Sequence, residues 1–514
     1  MVLYLLKTIE IIQALRIIFY TFGLQNKRRI DVYKIQTKYT IGMKNIFFTL
    51  IALLGITVSA CAQNKQTYRI EVNLSDLKDT TLLLGYHFGE KKFIADTAQL
   101  DSKGKAVFMG DTLLPGGMYI VVLPQRSYFD ILVGDNQHFS LSTSASNSLE
   151  ELTFTGSSEN TAFANYQRFM GNKQEQMNQL RTQIQQNEGN AEKEKEITDE
   201  IKKLDKEVNT YWDKIIKENP NTLFANIIKS LKPIEFPEFE IPENASNVDS
   251  LRWVLSYQYN QNHFFDNIEL TDSRFIRTPF FQSRIDAYFD KTLLPLPDTI
   301  IAYADKLIDQ VRGNQEMFQY IISHLFSKYQ NSAIMGMDAV FVHLAEEYYL
   351  SGEMKNISES LKQKIAERVA DLKPNLIGQI APNVSMRDSN NKLRELHAVE
   401  AKVTIIYFWE PSCSHCKKVT PELRELSNKY KNKGISVFAV YTQGEQEKWM
   451  EYIKEKEITS WINVWDPYRS TNYHKLYDIY STPILYVLDK DKRIIAKRIG
   501  IESLERFIEE ELKK

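Results

Sequence analysis

At 514 residues the chain is too long for one core, and a prior of about 150 residues per domain leads to an expectation of three domains. Its 43% hydrophobic, 25% charged and 12% aromatic content is that of a globular protein and excludes a disordered chain. With 64 Lys plus Arg against 66 Asp plus Glu, the net charge of -2 gives no electrostatic case for nucleic acid or an acidic membrane surface as partner.

Residues 1–42 are apolar but interrupted by Lys7, Glu10 and Arg16, charges that a clean transmembrane span would not carry. Met43 is therefore expected as the natural start and 1–42 as an over-read leader, with a membrane-associated segment as the other reading. Residues 43–62 read as an export signal: Lys44 precedes the apolar run IFFTLIALLGITVSA, which is followed by Cys61, Ala62 and Gln63. Two cleavage readings compete. Val58-Ser59-Ala60-Cys61 resembles a bacterial lipobox with Cys61 lipidated, whereas Ala60-Cys61-Ala62 is an A-x-A site for ordinary signal peptidase. Either one exports the chain, to the periplasm or to a lipid-anchored position on the outer face of a membrane.

From 66 to 157 the segments TYRIEVNL, TLLLGYHF, KAVFMG, GMYIVVL, YFDILVG and HFSLST are separated by Gly, Asp, Asn and Pro, which predicts a small antiparallel β-sandwich. His87 and His138 read as strand residues rather than ligands. From 158 to 372 the periodicity becomes helical. The run EKEKEITDEIKKLDKEVNTYW sets Glu before Lys at spacings of three or four, the pattern of a solvated helical hairpin. Pro-rich KPIEFPEFEIP breaks the helices, and the later Tyr and Phe stripes read as core packing. Residues 376–514 alternate strands and helices in an α/β thioredoxin-like order, preceded by a predicted hairpin in APNVSMRDSNNKLRELHAVEAK. The fold class is thus multidomain: β-sandwich, α-helical middle, α/β end.

Of three cysteines, Cys61 falls in the export signal, leaving two at CxxC spacing that read as one site rather than a disulfide framework. A strand ending at Trp409 places Cys413 at a strand-to-helix turn, with Cys416 on the first turn of the helix. Unpaired N–H groups and the positive helix end favour a Cys413 thiolate, lowering its pKa from about 8.5 into the roughly 3.5 to 7.5 range of activated cysteines. Cys413 is thus expected to attack and Cys416 to resolve the mixed disulfide. No cofactor beyond this redox-active pair is expected.

FWEPSCSHCKKVTPEL, Ser481-Thr482-Pro483 and YVLDKDKRIIAKRIG together resemble the TlpA/ResA-like family of extracytoplasmic thioredoxins over about 140 residues, and the whole layout resembles multidomain relatives common in Bacteroidetes. The resemblance implies a helix facing a cis-proline loop, with Pro483 as the matching residue and Thr482 offering backbone hydrogen bonds to an extended substrate segment. It implies protein thiols and disulfides as partners, a membrane-linked electron donor or acceptor, and a link to cytochrome c maturation. Two departures stand out. Two positions before Trp409, where many thioredoxins carry a buried acidic proton acceptor, stands Tyr407; Glu410 is the nearest carboxylate in sequence, either a substitute base or a solvent-facing residue. Between the cysteines stand Ser414 and His415. A His there resembles the disulfide isomerases and oxidases, implying an intermediate potential within about -270 to -120 mV.

Three other readings compete. A zinc site lacks a second CxxC or a His pair at suitable spacing, so no metal is expected. A peroxiredoxin needs Thr three residues before the reactive cysteine, where Glu410 stands. The third is a cell-surface binding or scaffold protein with an accessory thioredoxin domain, since nearly two thirds of the mature chain carries no recognisable chemistry.

Overall fold

The computed structural model describes residues 67–514 except 125–126, 147–148 and 243–245. The expected leader, the export signal and Cys61 lie outside the described residues.

Among the described residues eight strands come first: β1 (Tyr68–Leu74), β2 (Thr80–Phe88), β3 (Lys91–Leu100), β4 (Lys105–Gly110), β5 (Gly117–Val122), β6 (Tyr128–Val133), β7 (His138–Thr143) and β8 (Thr153–Thr155). They form two four-stranded sheets, ordered β4-β1-β7-β8 and β3-β2-β5-β6. Alternate residues such as Ile70 and Val72 of β1 and Tyr119 and Val121 of β5 point into one core between them. Pairing is antiparallel except between β1 and β7, which run parallel. β3 has no counterpart in the predicted strands, because its first four residues, KKFI, are all exposed and show no alternation. Gly104, at φ +77°, closes the turn into β4; a Cβ there would stand 2.1 Å from the Leu74 carbonyl oxygen, so no other residue fits without backbone movement. His87 is buried within β2, and His138 opens β7 with Nε2 2.9 Å from the Thr67 carbonyl.

Nine α-helices follow among the described residues: α1 (Ser158–Gln186), α2 (Ala191–Glu218), α3 (Leu223–Leu231), α4 (Val248–His263), α5 (Phe281–Ala287), α6 (Pro297–Val311), α7 (Gln315–Gln330), α8 (Asp338–Leu344) and α9 (Glu359–Leu372). Ser157, Asn190, Thr222, Asn247, Asn314 and Ser358 each cap the following helix by accepting a backbone N–H, which fixes where these helices begin. α1 and α2 form a largely exposed hairpin bridged by Lys173 and Glu207 at 2.5 Å. Beyond it, Phe224, Phe275, Phe281, Ile321 and Phe341 belong to one core. The helical region is sewn to the sandwich: buried Asn160 donates to the Leu132 carbonyl at 2.8 Å and accepts from its N–H at 2.7 Å. Among the described residues no helix is long and apolar enough to cross a membrane.

The last region contains β9 (Ser385–Asp388), β10 (Leu393–Glu395), β11 (Val403–Trp409), α10 (Ser414–Tyr430), β12 (Ile435–Tyr441), α11 (Gln446–Glu455), β13 (Ile462–Trp465), α12 (Tyr473–Leu476), β14 (Ile484–Leu488), β15 (Ile494–Lys497) and α13 (Ile501–Leu512). Its sheet runs β10-β9-β13-β12-β11-β14-β15, with β11, β12 and β13 parallel and the outer strands antiparallel. All seven residues of β11 are buried, as expected for a strand covered on both faces. Val403, Ile405, Tyr407 and Trp409 face a layer that includes Leu423 of α10 and Leu504 of α13; Ile406 and Phe408 face Tyr473 and Tyr477. This alternation turns Tyr407 toward the helix that carries the cysteines. At the end of β15, Lys497 is only 3% exposed; its ammonium pairs with Asp338 at the start of α8 and donates to the Asn375 carbonyl at 2.6 Å.

Candidate redox site

β11, an interior strand, ends at Trp409, and α10 starts five residues later. Cys413 is the N-cap of α10: its Sγ accepts the Cys416 backbone N–H at 3.2 Å, a bond that a serine or aspartate makes at ordinary helix starts. Cys416 falls one turn on and is fully buried, whereas Cys413 is half-buried; both are free thiols here. On the opposite side the Thr482–Pro483 peptide is cis, and Cys413 Sγ donates to the Thr482 carbonyl at 3.3 Å. Residues far apart in sequence are thus brought to one sulfur.

The two thiols are electrostatically unlike. Partial desolvation pushes the Cys413 thiol up, but hydrogen bonds from the Cys416 side chain and N–H, from Thr482 and from the His415 backbone outweigh it and leave the pKa below its ordinary value. Burial, followed by the hydrogen bond to Cys413, pushes Cys416 up to about 12. One sulfur is therefore reachable and readily ionised, and its neighbour keeps its proton.

Beneath Cys416 lies a neutral hydrogen-bonded cluster. Thr420 Oγ1 donates to the Cys416 carbonyl at 2.8 Å, stands 2.9 Å from the Tyr407 hydroxyl and accepts from the Tyr452 hydroxyl at 3.3 Å. Burial, first of all, drives the Tyr407 pKa far above that of a free phenol, so this side chain holds its proton. Glu410 lies at the site's edge, where its carboxylate accepts from Gln443 Nε2. Trp409 is fully buried and packs against Tyr407, Tyr441 and Tyr452. His415 is exposed and, with Val419, Pro483, Leu485 and Ile501, lines an open groove of about 550 Å³. Thr420, Tyr452 and Gln443 are not singled out by sequence. For Thr420 the available signal is its position four residues after Cys416, one helical turn along the same face.

Tyr407→Phe should lower stability by about 1–2 kcal/mol, the cost of removing one partner from a buried hydrogen-bonded cluster, while leaving the Cys413 thiol pKa unchanged. Chemical denaturation together with thiolate absorbance checks this. A shifted thiol pKa would show that the phenol acts on the sulfurs directly.

Residues 377–497 match the model of the AhpC/TSA family, and residues 68–163 and 181–375 match two domains of unknown function, DUF4369 and DUF5106. Over 138 residues the chain is 28% identical to a thiol-disulfide oxidoreductase ResA of Bacillus cereus, an alignment covering 27% of this chain and 78% of the relative. The thiol-disulfide oxidoreductase YkuV of Bacillus subtilis (strain 168) is 26% identical over 125 residues, covering 23% of this chain and 83% of the relative. A crystallised domain of a possible thiol-disulfide isomerase from Cytophaga hutchinsonii ATCC 33406 is 45% identical, covers 27% of this chain and 94% of its own, and superposes with a TM-score of 0.26. The C-terminal region is an AhpC/TSA-type thioredoxin-like domain related to the ResA/TlpA proteins, a thiol-disulfide oxidoreductase domain of that type.

Proposed function

We propose that the protein is an extracytoplasmic enzyme that exchanges disulfides with protein substrates through Cys413 and Cys416. The observation that carries this reading is the asymmetry of the pair beside the cis-proline: a reachable thiol with a lowered pKa next to a buried one pushed up to about 12. In the reducing direction the Cys413 thiolate attacks one sulfur of a substrate disulfide. A mixed disulfide forms and the second substrate sulfur leaves as a thiolate, which takes up a proton. Cys416 then loses its proton, and its sulfur displaces the substrate from Cys413. The products are a reduced substrate and a Cys413–Cys416 disulfide, with two electrons passed from enzyme to substrate. Run backwards, the same steps oxidise a dithiol.

The groove beside Pro483 would seat the substrate segment next to its disulfide, with Thr482 supplying backbone hydrogen bonds and His415 forming part of the wall. Trp409 supports the turn from beneath, and the Glu410 carboxylate is held by Gln443. Export rests on the apolar run 46–60 behind Lys44, with Cys61 as the anchor if it is lipidated. Electrons for a reducing cycle then come from a membrane-linked dithiol partner, and those released by an oxidising one go to a membrane-linked disulfide.

Cys416→Ser tests the scheme. The variant should accumulate a covalent adduct with insulin or another disulfide-bearing protein on non-reducing gels, and the adduct should vanish with dithiothreitol or on adding Cys413→Ser. No adduct, together with no insulin reduction by the wild type, would favour a scaffold role in which the exchange centre is incidental.

A further inference from the structure

The cis-proline loop is held from outside its own domain. Four residues before Thr482 stands Asp478, which is 3% exposed and lies in the left-handed region at φ +54°. A carboxylate so deeply buried requires paired donors. Both of its oxygens accept from the Arg368 guanidinium, Oδ2 at 3.1 Å, and Oδ2 also accepts from Arg498 at 2.6 Å. Arg498 donates as well to the Asp478 backbone carbonyl. Arg368 belongs to α9, whose Ile365, Val369 and Leu372 are embedded in the helical core. Its guanidinium also lies 5.8 Å from the centroid of the Tyr480 ring, two residues before the cis peptide. Arg498 lines the groove that contains Pro483. A fork-to-fork pair fixes both distance and angle, so the helical core, Arg368, Asp478 and the groove wall form one connected support.

We propose that Arg368 is a positioning residue of the redox site: from the middle region it holds, through Asp478, the loop that sets Thr482 and Pro483 against Cys413. The inference rests on the reading above, in which Cys413 attacks substrates seated along that loop. It assigns the helical region a share in substrate recognition. The Thr482 carbonyl lies 3.3 Å from Cys413 Sγ, and a loop free to move by about an ångström would misplace an extended substrate while leaving the sulfur itself exposed to small disulfides.

The test uses the full chain with Arg368→Ala and Arg368→Lys. With insulin as substrate, Arg368→Ala should lose about tenfold in kcat/KM, mainly through KM, whereas reaction with a small aromatic disulfide should change less than about twofold. Arg368→Lys, which keeps the charge but not the fork, should fall between wild type and Ala. The pH midpoint for alkylation of Cys413 should shift in Arg368→Ala, since both the carbonyl and the side chain of Thr482 bear on that thiol. Lys475→Ala, which removes a more exposed pair with Asp371 at 3.3 Å across the same contact, should leave all these values unchanged. Melting temperatures show which variants are folded; if Arg368→Ala is not, Arg368→Lys carries the comparison. A folded variant with wild-type KM for insulin and a wild-type alkylation midpoint would overturn the proposal and reduce Arg368 to an interface residue. Should the wild type leave insulin untouched, the substrate reading fails instead, and the alkylation midpoint alone still decides whether Arg368 positions the loop.

Discussion

Iodoacetamide supplied in limiting amount to the reduced protein should label Cys413 and leave Cys416 untouched, with a rate that rises about a midpoint below the ordinary thiol value of 9.0. Cys413→Ser should take both labelling and disulfide exchange to background. The same asymmetry makes the reduced protein sensitive to alkali. In the unfolded chain Cys416 ionises near 9.0, whereas in the folded protein it keeps its proton to about 12. The folded state therefore binds more protons across that window, and stability falls as pH rises through it. Cys413 acts in the opposite sense, because its depressed pKa adds stability as pH climbs toward 9.0. Above pH 9 the Cys416 effect is left unopposed by its partner. Cys416→Ala should flatten the alkaline decline measured by chemical denaturation of the reduced protein; an equal decline in both proteins would contradict the assignment.

Asp338→Ala should be among the most damaging single changes outside the hydrophobic cores. It strips the carboxylate from an ammonium that is only 3% exposed and leaves the Asn375 carbonyl as the other hydrogen-bonding partner described for it. Breaking a buried pair in this way costs about 3–5 kcal/mol. Burial already lowers the Lys497 pKa below that of a free lysine, so the orphaned amine should shed its proton more readily still. The loss should consequently shrink as pH rises toward the ordinary lysine range. Lys497→Met removes the charge and leaves an Asp338 side chain that is 23% exposed and can turn to water, so it should cost much less. Urea unfolding of the three proteins at two pH values checks the ordering. An Asp338→Ala variant within about 1 kcal/mol of wild type would show that the pair is solvated in solution.

What could be read from sequence was what short range encodes. A CxxC after an apolar strand fixes a corner, and the alternation within VTIIYFW places Tyr407 under the helix once that corner exists. Thr482 and Pro483 were placed by resemblance, not by any local pattern. β3 was illegible because an edge strand with exposed Lys91, Lys92, Phe93 and Ile94 shows no alternation. The supports of the site were illegible for a different reason. Arg368 meets Asp478 across 110 residues and Lys497 meets Asp338 across 159, and nothing in the neighbourhood of either residue marks it as paired. The Glu410 carboxylate could not be oriented from sequence at all; Gln443, from the turn after β12, receives it.

The parallel pairing of β1 with β7 also bears on how the chain is made. β1 is the first of the described strands to be synthesised, yet it sits inside its sheet, with β4 on one side and β7 on the other. While the ribosome is still delivering residues up to 143, one edge of β1 stands bare, able to join a neighbouring nascent chain as readily as its own. A holding chaperone at the exit side would act on the sandwich first, before the helices or Cys413 and Cys416 have emerged.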